Sequence, residues 1–134
     1  MIKYDLNKRV AIVTGGAQGF GFAITERFIQ AGAKVIIWDI EEKAAKEAVE
    51  KIKSKNVSYQ IVDVTNFESV NKNLNMVAEN FGKIDIFVNN AGIAGMNTTV
   101  AEYPLDEWKK VMNLNLDSVF YCCKAVVPFM IKNN

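Results

Sequence analysis

The sequence has 134 residues, of which 50% are hydrophobic and 23% are charged, and its formal net charge is +1. This length and composition are typical of one globular domain, and the balanced charge gives no reason to expect binding to nucleic acid or to an anionic membrane. The absence of histidine excludes Ser-His-Asp and Cys-His catalysis and histidine-ligated metals for these residues acting alone. Because no apolar run reaches membrane-spanning length and the amino end lacks a secretion signal, we expect a cytoplasmic protein without a membrane segment.

The first predicted element is a buried parallel strand over residues 10–13, which leads directly into a glycine-rich turn. The strand is rich in β-branched residues and lacks polar alternation, as expected when both faces of a sheet are covered. Thr14 is followed by Gly15, Gly19 and Gly21, and apolar residues at helical spacing come next. A glycine turn between a strand and a helix lets a pyrophosphate approach the backbone and the helix N-terminus closely. The arrangement therefore predicts a dinucleotide-binding site.

Strands and helices are predicted to alternate along the rest of the chain. Further strands are predicted over residues 34–38, 57–62 and 84–88, and helices over 41–53, 65–81, 106–112 and 116–132, the last interrupted near Pro128. Residues 93–103 are expected to form an irregular loop. The pattern predicts an α/β fold of the Rossmann type, with a doubly wound parallel sheet and helices on both faces. We expect one domain over residues 1–134 in the strand order 3-2-1-4, truncated after the helix that follows strand 4, which leaves strand 4 as an apolar edge.

Small or polar residues follow the carboxyl ends of the four predicted strands. These positions are held by Gly15, Asp39, Asp63 and Asn90. In an open parallel sheet the carboxyl ends share one edge, and ligands bind there at the point where the strand order reverses. The four residues are therefore predicted to meet at one ligand-binding crevice.

Asp39 carries the predicted cofactor preference. At the end of the second strand its carboxylate can accept hydrogen bonds from both hydroxyls of an adenosine ribose, and its negative charge would repel a 2′-phosphate. Residues 15–20 and 39–42 contain no Lys or Arg that could reverse this repulsion. The position therefore favours NAD over NADP, and the alternative is that Asp39 is the N-cap of the next helix.

Several other polar residues have two interpretations each. Asp63 could cap the following helix, as could Thr65 or Asn66, or it could lie beside an adenine ring. Asn113 and Asn115 lie in helical segments, where asparagine is unfavourable because it competes for backbone hydrogen bonds. They therefore indicate either local backbone bonding or a role in a site.

The two cysteines, Cys122 and Cys123, are adjacent in a predicted helix. Neighbouring helical positions face different directions, so the pair does not form a zinc site and no metal is expected. We interpret both as structural cysteines, with a reactive thiol as the alternative.

Taken together, these residues resemble the short-chain dehydrogenase/reductase family across the whole chain. Residues 14–21 are similar to its TGxxxGxG cofactor turn, although Phe20 stands where Ile or Leu is more usual, and residues 89–92 are similar to its NNAG motif. Asn115 aligns with the family's catalytic asparagine, because Leu116 and Phe120 follow at the family's N-L-x-x-x-F spacing. The resemblance implies cofactor contacts at Gly15, Gln18, Gly19, Phe20, Gly21, Asp39, Asp63, Val64, Asn90, Ala91 and Gly92.

The resemblance implies an NAD-dependent oxidoreductase that transfers a hydride between a nicotinamide and an alcohol or ketone, such as a sugar, a polyol or a 3-oxoacyl thioester. In the family, the asparagine that aligns with Asn115 holds a water that links the catalytic lysine to solvent. A serine, a tyrosine and that lysine complete the family's site, and its Y-x-x-x-K motif follows a further strand. This sequence has that spacing only at Tyr4 and Lys8, before the first strand, so we expect the amino-terminal half of a longer enzyme.

The resemblance also implies an oligomer. Family members commonly form homodimers or homotetramers through the helices after strands 4 and 5, which here involves residues 116–132. One alternative function is a non-catalytic nucleotide-binding or regulatory fragment, which would bind NAD without turnover. Another is a methyltransferase with a similar glycine turn, which the NNAG motif and the Thr-Gly start of the turn disfavour.

Overall fold

The computed structural model describes residues 3–133, which contain a parallel sheet of four strands. The strands are β1 (Val10–Thr14), β2 (Lys34–Asp39), β3 (Val57–Ile61) and β4 (Ile86–Val88). Their order in the sheet is β3-β2-β1-β4, and all three pairings between the described strands are parallel. The chain moves outward from β1 to β3 and then crosses to the other side of β1, so the strand order reverses between β1 and β4. The predicted order and the Rossmann-type fold are confirmed.

Helices connect and follow these strands. The α-helices in the described part of the chain are α1 (Gly19–Gln30), α2 (Glu42–Ile52), α3 (Phe67–Phe81), α4 (Leu105–Met112) and α5 (Ser118–Lys132). A 3₁₀ turn at Val100–Glu102 lies in the loop that was predicted to be irregular, and a π-helical segment, Asn113–Asp117, joins α4 to α5. Asn66 is the N-cap of α3, since its side-chain oxygen accepts a hydrogen bond from the Ser69 N–H at 3.0 Å.

The apolar residues of the strands point to both faces of the sheet. Val10 and Ile12 of β1 pack in one cluster with side chains of α3 and α5. Their neighbours Ala11 and Val13 pack in a second cluster against side chains of α1. Both faces of β1 are therefore covered, which explains why its sequence has no polar alternation.

Helix α5 contradicts one prediction, because it continues through Pro128 to Lys132. Proline lacks an N–H donor and its ring crowds the preceding turn, so it normally breaks or kinks a helix. Ala125 and Val126, just before it, are buried in the core cluster that α5 shares with α3. This tertiary packing outweighs the local preference of the proline.

Helix α4, the π-helical segment and α5 form one continuous helix of 28 residues, Leu105–Lys132. The sequence pattern predicts no apolar run of membrane-spanning length, whereas this helix is long and apolar enough to cross a membrane, with a mean hydropathy of 1.4 in its most apolar stretch. Length and composition alone do not separate such a helix from the core helix of a soluble protein. Here Cys122, Ala125 and Val126 belong to the core of the domain, so the inner face of the helix packs against the sheet.

The two cysteines have different environments. Cys122 is buried in the core, and this burial, with a smaller effect from the neighbouring Cys123, raises the pKa of its thiol to about 12. Cys123 lies on the exposed side of α5. The structural interpretation therefore holds for Cys122, whose thiol stays protonated at neutral pH.

Asp85 joins the amino ends of β1 and β4. Its carboxylate accepts a hydrogen bond from the Val10 N–H at 2.8 Å and forms ion pairs with Arg9 and Lys83, each at 3.1 Å. Burial by itself would raise the pKa of Asp85, but the Val10 N–H and the two cations outweigh it and lower the pKa below its ordinary value of 3.8. β4 begins at Ile86 instead of residue 84, although the Asp85 N–H already donates to the Val10 carbonyl at 2.9 Å.

Candidate functional site

A cleft of about 770 Å³ lies at the carboxyl ends of the strands. It is bounded by the turn after β1, the end of β2, the segments after β3 and β4, and the start of the long helix. Its volume is in the range of pockets that hold small organic ligands. The predicted site residues that line it are Gly15, Gln18, Gly19, Asp39, Asp63, Val64, Asn90, Ala91 and Gly92.

Three predicted site residues do not line the cleft. Phe20 lies on α1, is 86% exposed and is not among the residues that line the cleft. Gly21 is buried beneath the turn, and Asn115 contacts the segment that follows Gly92. Phe20, Gly21 and Asn115 can therefore affect a ligand in the cleft only through their backbone groups or through neighbouring residues that they hold in place.

Gly21 and Gly19 shape the turn for different reasons. A Cβ atom at Gly21 would lie 2.1 Å from the carbonyl oxygen of Gly15, so only glycine lets the turn and α1 come this close. Gly19 has a φ of +52°, and a Cβ there would meet nothing within 4 Å, so the space beside it is open. Helix α1 begins at Gly19, and its first N–H groups, with the positive end of its dipole, suit an anionic phosphate in that space.

Asp39 ties the end of β2 to the glycine turn. Its Oδ2 accepts a hydrogen bond from the Ala17 N–H at 3.3 Å, and its Oδ1 accepts one from the Glu41 N–H at 3.1 Å. The N-cap of α2 is Glu41, so the alternative that Asp39 caps this helix is wrong. The carboxylate lies at the cleft and is already oriented by two backbone donors.

Asp63 has a similar arrangement after β3. Its Oδ1 accepts hydrogen bonds from the Thr65 N–H at 2.9 Å and from the Thr65 hydroxyl at 2.6 Å. Because Asn66 is the N-cap of α3, Asp63 orders the segment before the helix and does not cap it. The Asp63 side chain lines the cleft next to Val64, whose side chain is packed in the core.

Thr14 and Asn90 join the ends of β1 and β4 beneath the cleft. The Thr14 hydroxyl accepts hydrogen bonds from the N–H groups of Asn90 at 2.9 Å and Ala91 at 3.0 Å, and it donates to the Val88 carbonyl at 3.2 Å. The Asn90 amide donates to the carbonyl oxygens of Thr14 at 2.9 Å and Gly15 at 3.2 Å. This hydrogen-bonded pair therefore fixes the segment after β4 to the glycine turn.

Asn115 lies in the π-helical segment and binds the loop after β4. Its side-chain Nδ2 donates to the Ile93 carbonyl at 2.8 Å, and its Oδ1 accepts from the Ile93 N–H at 2.9 Å. A Cβ at Gly92 would lie 3.2 Å from this Oδ1, so the two chain segments are in close contact. The Asn115 side chain therefore bonds to backbone groups of a distant segment, 22 residues away, and not to its own helix. π-Helical insertions of this kind occur frequently at functional sites.

Sequence patterns did not single out several residues of the cleft, among them Trp38, Ile40 and Lys110. Trp38 is fully buried, and its indole N–H donates to Gln60 Oε1 at 2.7 Å. Ile40 is 60% exposed, directly after Asp39. Lys110 is a charged residue of a short amphipathic helix, a pattern that ordinarily indicates a solvent-facing side chain. Its place at the cleft depends on how α4 docks, which local sequence does not encode.

The shape and chemistry of the cleft fit an extended nucleotide cofactor. A glycine turn at a helix N-terminus suits phosphate groups, and an oriented carboxylate at the end of the second strand suits ribose hydroxyls. The apolar side chains of Ile40 and Leu114 offer surface for a flat base. These groups occur at one edge of the sheet, where the strand order reverses.

Comparison with known sequences identifies the family. A family model described as short chain dehydrogenase matches residues 9–134. The 3-oxoacyl-[acyl-carrier-protein] reductase of Chlamydia muridarum is 38% identical over 130 residues, which are 95% of this chain and 52% of the reductase. The mannitol dehydrogenase of Yarrowia lipolytica, whose name gives NADP as its cofactor, is 37% identical over 129 residues, which are 92% of this chain and 46% of that protein.

Solved structures agree with the sequence matches. A structure of NAD⁺-bound xylitol dehydrogenase is similar with a TM-score of 0.92 and 32% identity, over 96% of this chain and 50% of that one. The chain spans about half the length of the relatives that it matches and corresponds to their amino-terminal half. Because the family model matches nearly all of the sequence and the fold matches as well, the chain belongs to the short-chain dehydrogenase family.

Proposed function

We propose that the whole protein is an NAD-dependent oxidoreductase that transfers a hydride between a nicotinamide and the carbon of an alcohol or ketone. The observation that carries the proposal is the meeting of the glycine turn, the Asp39 carboxylate and residues 90–92 at one cleft. The relatives that the chain matches are named as reductases or dehydrogenases, which supports the same class of reaction. When bound, the nicotinamide would accept or donate the hydride.

Each part of the cleft has a role in this proposal. The backbone of residues 15–21 would hold the pyrophosphate at the N-terminus of α1, and Asp39 would accept hydrogen bonds from the adenosine ribose. Asp63 and Val64 would border the adenine ring, where the Oδ2 of Asp63 can accept from the adenine amino group, since Thr65 bonds to Oδ1. Residues 90–92 would border the ribose nearest the nicotinamide.

Asn115 is proposed as the catalytic residue of this half of the protein. Its side-chain amide is bonded in both directions to Ile93, so a water held at this position would have to bond to backbone carbonyl groups of the π-helical segment. Changing Asn115 to Ala in the full-length enzyme should lower turnover and leave cofactor affinity nearly intact. Unchanged turnover would refute this role.

The preference for NAD over NADP rests on the charge of Asp39. The extra phosphate of NADP would lie close to this carboxylate, and residues 15–20 and 39–42 offer no cation against it. Titration of the full-length protein with NADH and with NADPH tests the preference directly. Tighter binding of NADPH, as the name of the Yarrowia lipolytica relative would suggest, would show that Asp39 does not set it.

The substrate class follows from the relatives and not from the cleft. We propose a small alcohol or carbonyl compound, such as a sugar, a polyol or a 3-oxoacyl thioester, turned over by a cytoplasmic homodimer or homotetramer that uses neither nucleic acid nor a membrane. The names of the relatives include a 3-oxoacyl-[acyl-carrier-protein] reductase and a mannitol dehydrogenase, which agrees with this range. Oxidation of a panel of such alcohols with NAD⁺ would narrow it.

A further inference from the structure

The cleft has an unbalanced charge. Among the described residues that line it, the acidic ones are Asp39, Glu41 and Asp63, and the basic one is Lys110. A bound dinucleotide would place its two negatively charged phosphate groups near these carboxylates. The dipole of α1 acts on the phosphates, but the adenosine end of the proposed cofactor lies among the three carboxylates. A cation at that end would therefore strengthen binding.

Lys110 lines the cleft from the long helix. Lys110 precedes Leu114 by four residues in the continuous helix, and both residues line the cleft. Leu114 packs against the core cluster that contains Val62 and Val64, the residues on either side of Asp63. Lys110 and Asp63 line the same cleft.

Glu107 orients the Lys110 side chain. The Lys110 ammonium contacts Glu107 Oε1 at 2.5 Å, one turn earlier on α4. This hydrogen bond and the attraction between the two charges raise the pKa of Lys110, so it is charged at neutral pH. The lysine side chain is 62% exposed and the glutamate side chain 27% exposed, so the ammonium is held at the mouth of the cleft and is accessible to a ligand.

We propose that Lys110 is a specificity-determining residue for the adenosine end of the cofactor, positioned by Glu107. The inference rests on the proposed function above. An ammonium group has three N–H donors and can reach the ring nitrogens of adenine, which are acceptors. Its charge also offsets the carboxylates around the phosphates. The first effect requires the adenosine half of the ligand, whereas the second acts on either phosphate.

The test uses the full-length protein and two fragments of the cofactor. ADP-ribose contains the adenosine half and both phosphates, whereas nicotinamide mononucleotide lacks adenosine. Changing Lys110 to Met keeps the length of the side chain and removes its charge. We expect this variant to bind ADP-ribose about threefold to fivefold more weakly, the effect of one exposed charge, with the loss shrinking as salt is added. Binding of nicotinamide mononucleotide, followed by NMR titration, should weaken less than binding of ADP-ribose, because this fragment lacks adenosine and keeps only one phosphate.

Two further variants test whether the effect is specific to Lys110 and depends on its contact with Glu107. Lys109→Met removes the neighbouring exposed charge of the same helix and should leave ADP-ribose affinity unchanged. Glu107→Gln retains Lys110 but weakens its anchor, and it should produce a smaller loss of ADP-ribose affinity than Lys110→Met. Equal losses from Lys109→Met and Lys110→Met would indicate only a general effect of charge and would overturn the proposal.

The outcomes separate this inference from the function on which it rests. If the unaltered protein binds neither NADH nor ADP-ribose, the proposed function fails. If it binds both and Lys110→Met binds ADP-ribose as tightly as the unaltered protein does, the role of Lys110 fails while the function stands. A loss that is equal for ADP-ribose and nicotinamide mononucleotide would also refute an adenosine-specific contact.

Discussion

Asp39 performs two tasks with one carboxylate. Its sequence position after β2 indicates a ribose-binding residue, and its contacts show that it also holds the glycine turn through the Ala17 N–H. A carboxylate fixed by two backbone donors needs little reorganisation when a ligand arrives.

We expect Asp39→Asn to weaken NADH binding about tenfold, because an amide cannot accept hydrogen bonds from two ribose hydroxyls as a carboxylate does. NADPH binding should improve, since the repulsion of its 2′-phosphate is removed. Fluorescence titration of the full-length protein measures both affinities. The matched control is Glu47→Gln, which neutralises an exposed carboxylate on the outer side of α2. An unchanged ratio of the two affinities in Asp39→Asn would contradict the assignment.

At the scale of elements, two polar side chains join β1 to β4. Thr14 connects their carboxyl ends under the cleft, and Asp85 connects their amino ends. β4 has only three residues, so its ladder with β1 is short. The side chains of Thr14 and Asp85 therefore contribute more to holding β1 and β4 together than they would beside a longer ladder.

Replacing Thr14 with Val keeps the shape of the side chain and removes the hydroxyl. The N–H groups of Asn90 and Ala91 then lose their acceptor in a buried place, which should lower the free energy of unfolding by about 2–3 kcal/mol. Denaturant unfolding measures the change. Thr14→Ser keeps the hydroxyl and should recover most of the loss. Equal stability of the Val and Ser variants would show that these hydrogen bonds contribute little.

Asp85 should make the stability of the domain depend on pH. The pKa of its carboxyl is lower in the folded than in the unfolded state, so its contribution is fully present above the ordinary value of 3.8 and is lost as the pH falls through the lower, folded-state value. We expect Asp85→Asn to lower the unfolding free energy by about 1–2 kcal/mol at pH 7, and the difference from the unaltered protein to shrink in acid. Unfolding curves at pH 7 and near pH 3 test this, and a difference that is the same at both values would contradict it.

At the scale of the whole molecule, one side of the described structure is apolar and exposed. On the long helix the exposed large side chains include Leu116, Phe120, Val127 and Ile131. In the described sheet β4 pairs with β1 and forms an edge, as predicted from the sequence. Apolar surface and a free strand edge in combination are typical of an interface or a site of association.

We therefore expect the 134-residue chain, expressed by itself, to self-associate more strongly than the full-length protein. Sedimentation velocity at matched molar concentrations measures this, with Phe120→Asp as a variant that should reduce the association by adding a charge to the apolar surface. A chain that remains monomeric and does not bind a hydrophobic dye would contradict the expectation.

Local patterns predicted most of the elements, and their errors have physical reasons. The strands and the order of the sheet follow from runs of β-branched residues separated by helical periods. The predicted break at Pro128 was wrong because the packing of Ala125 and Val126 outweighs a local preference. The sequence could not decide whether Asp63 caps α3 or lines the cleft. The two positions are only a few residues apart, and which of them Asp63 occupies depends on where α3 begins.

The sequence by itself determined the Rossmann-type fold and the family. The spacing of the glycines, the residues at the strand ends and the NNAG segment are local features of the sequence, and the backbone geometry of the site requires them. Only the tertiary structure decided that Thr14 and Asn90 join two strands that are more than 70 residues apart in sequence, and that Asn115 binds Ile93. It also decided that Lys110 faces the cleft. These contacts depend on how distant segments dock, which is set by the packing of the whole core and not by any residue's neighbours in the chain.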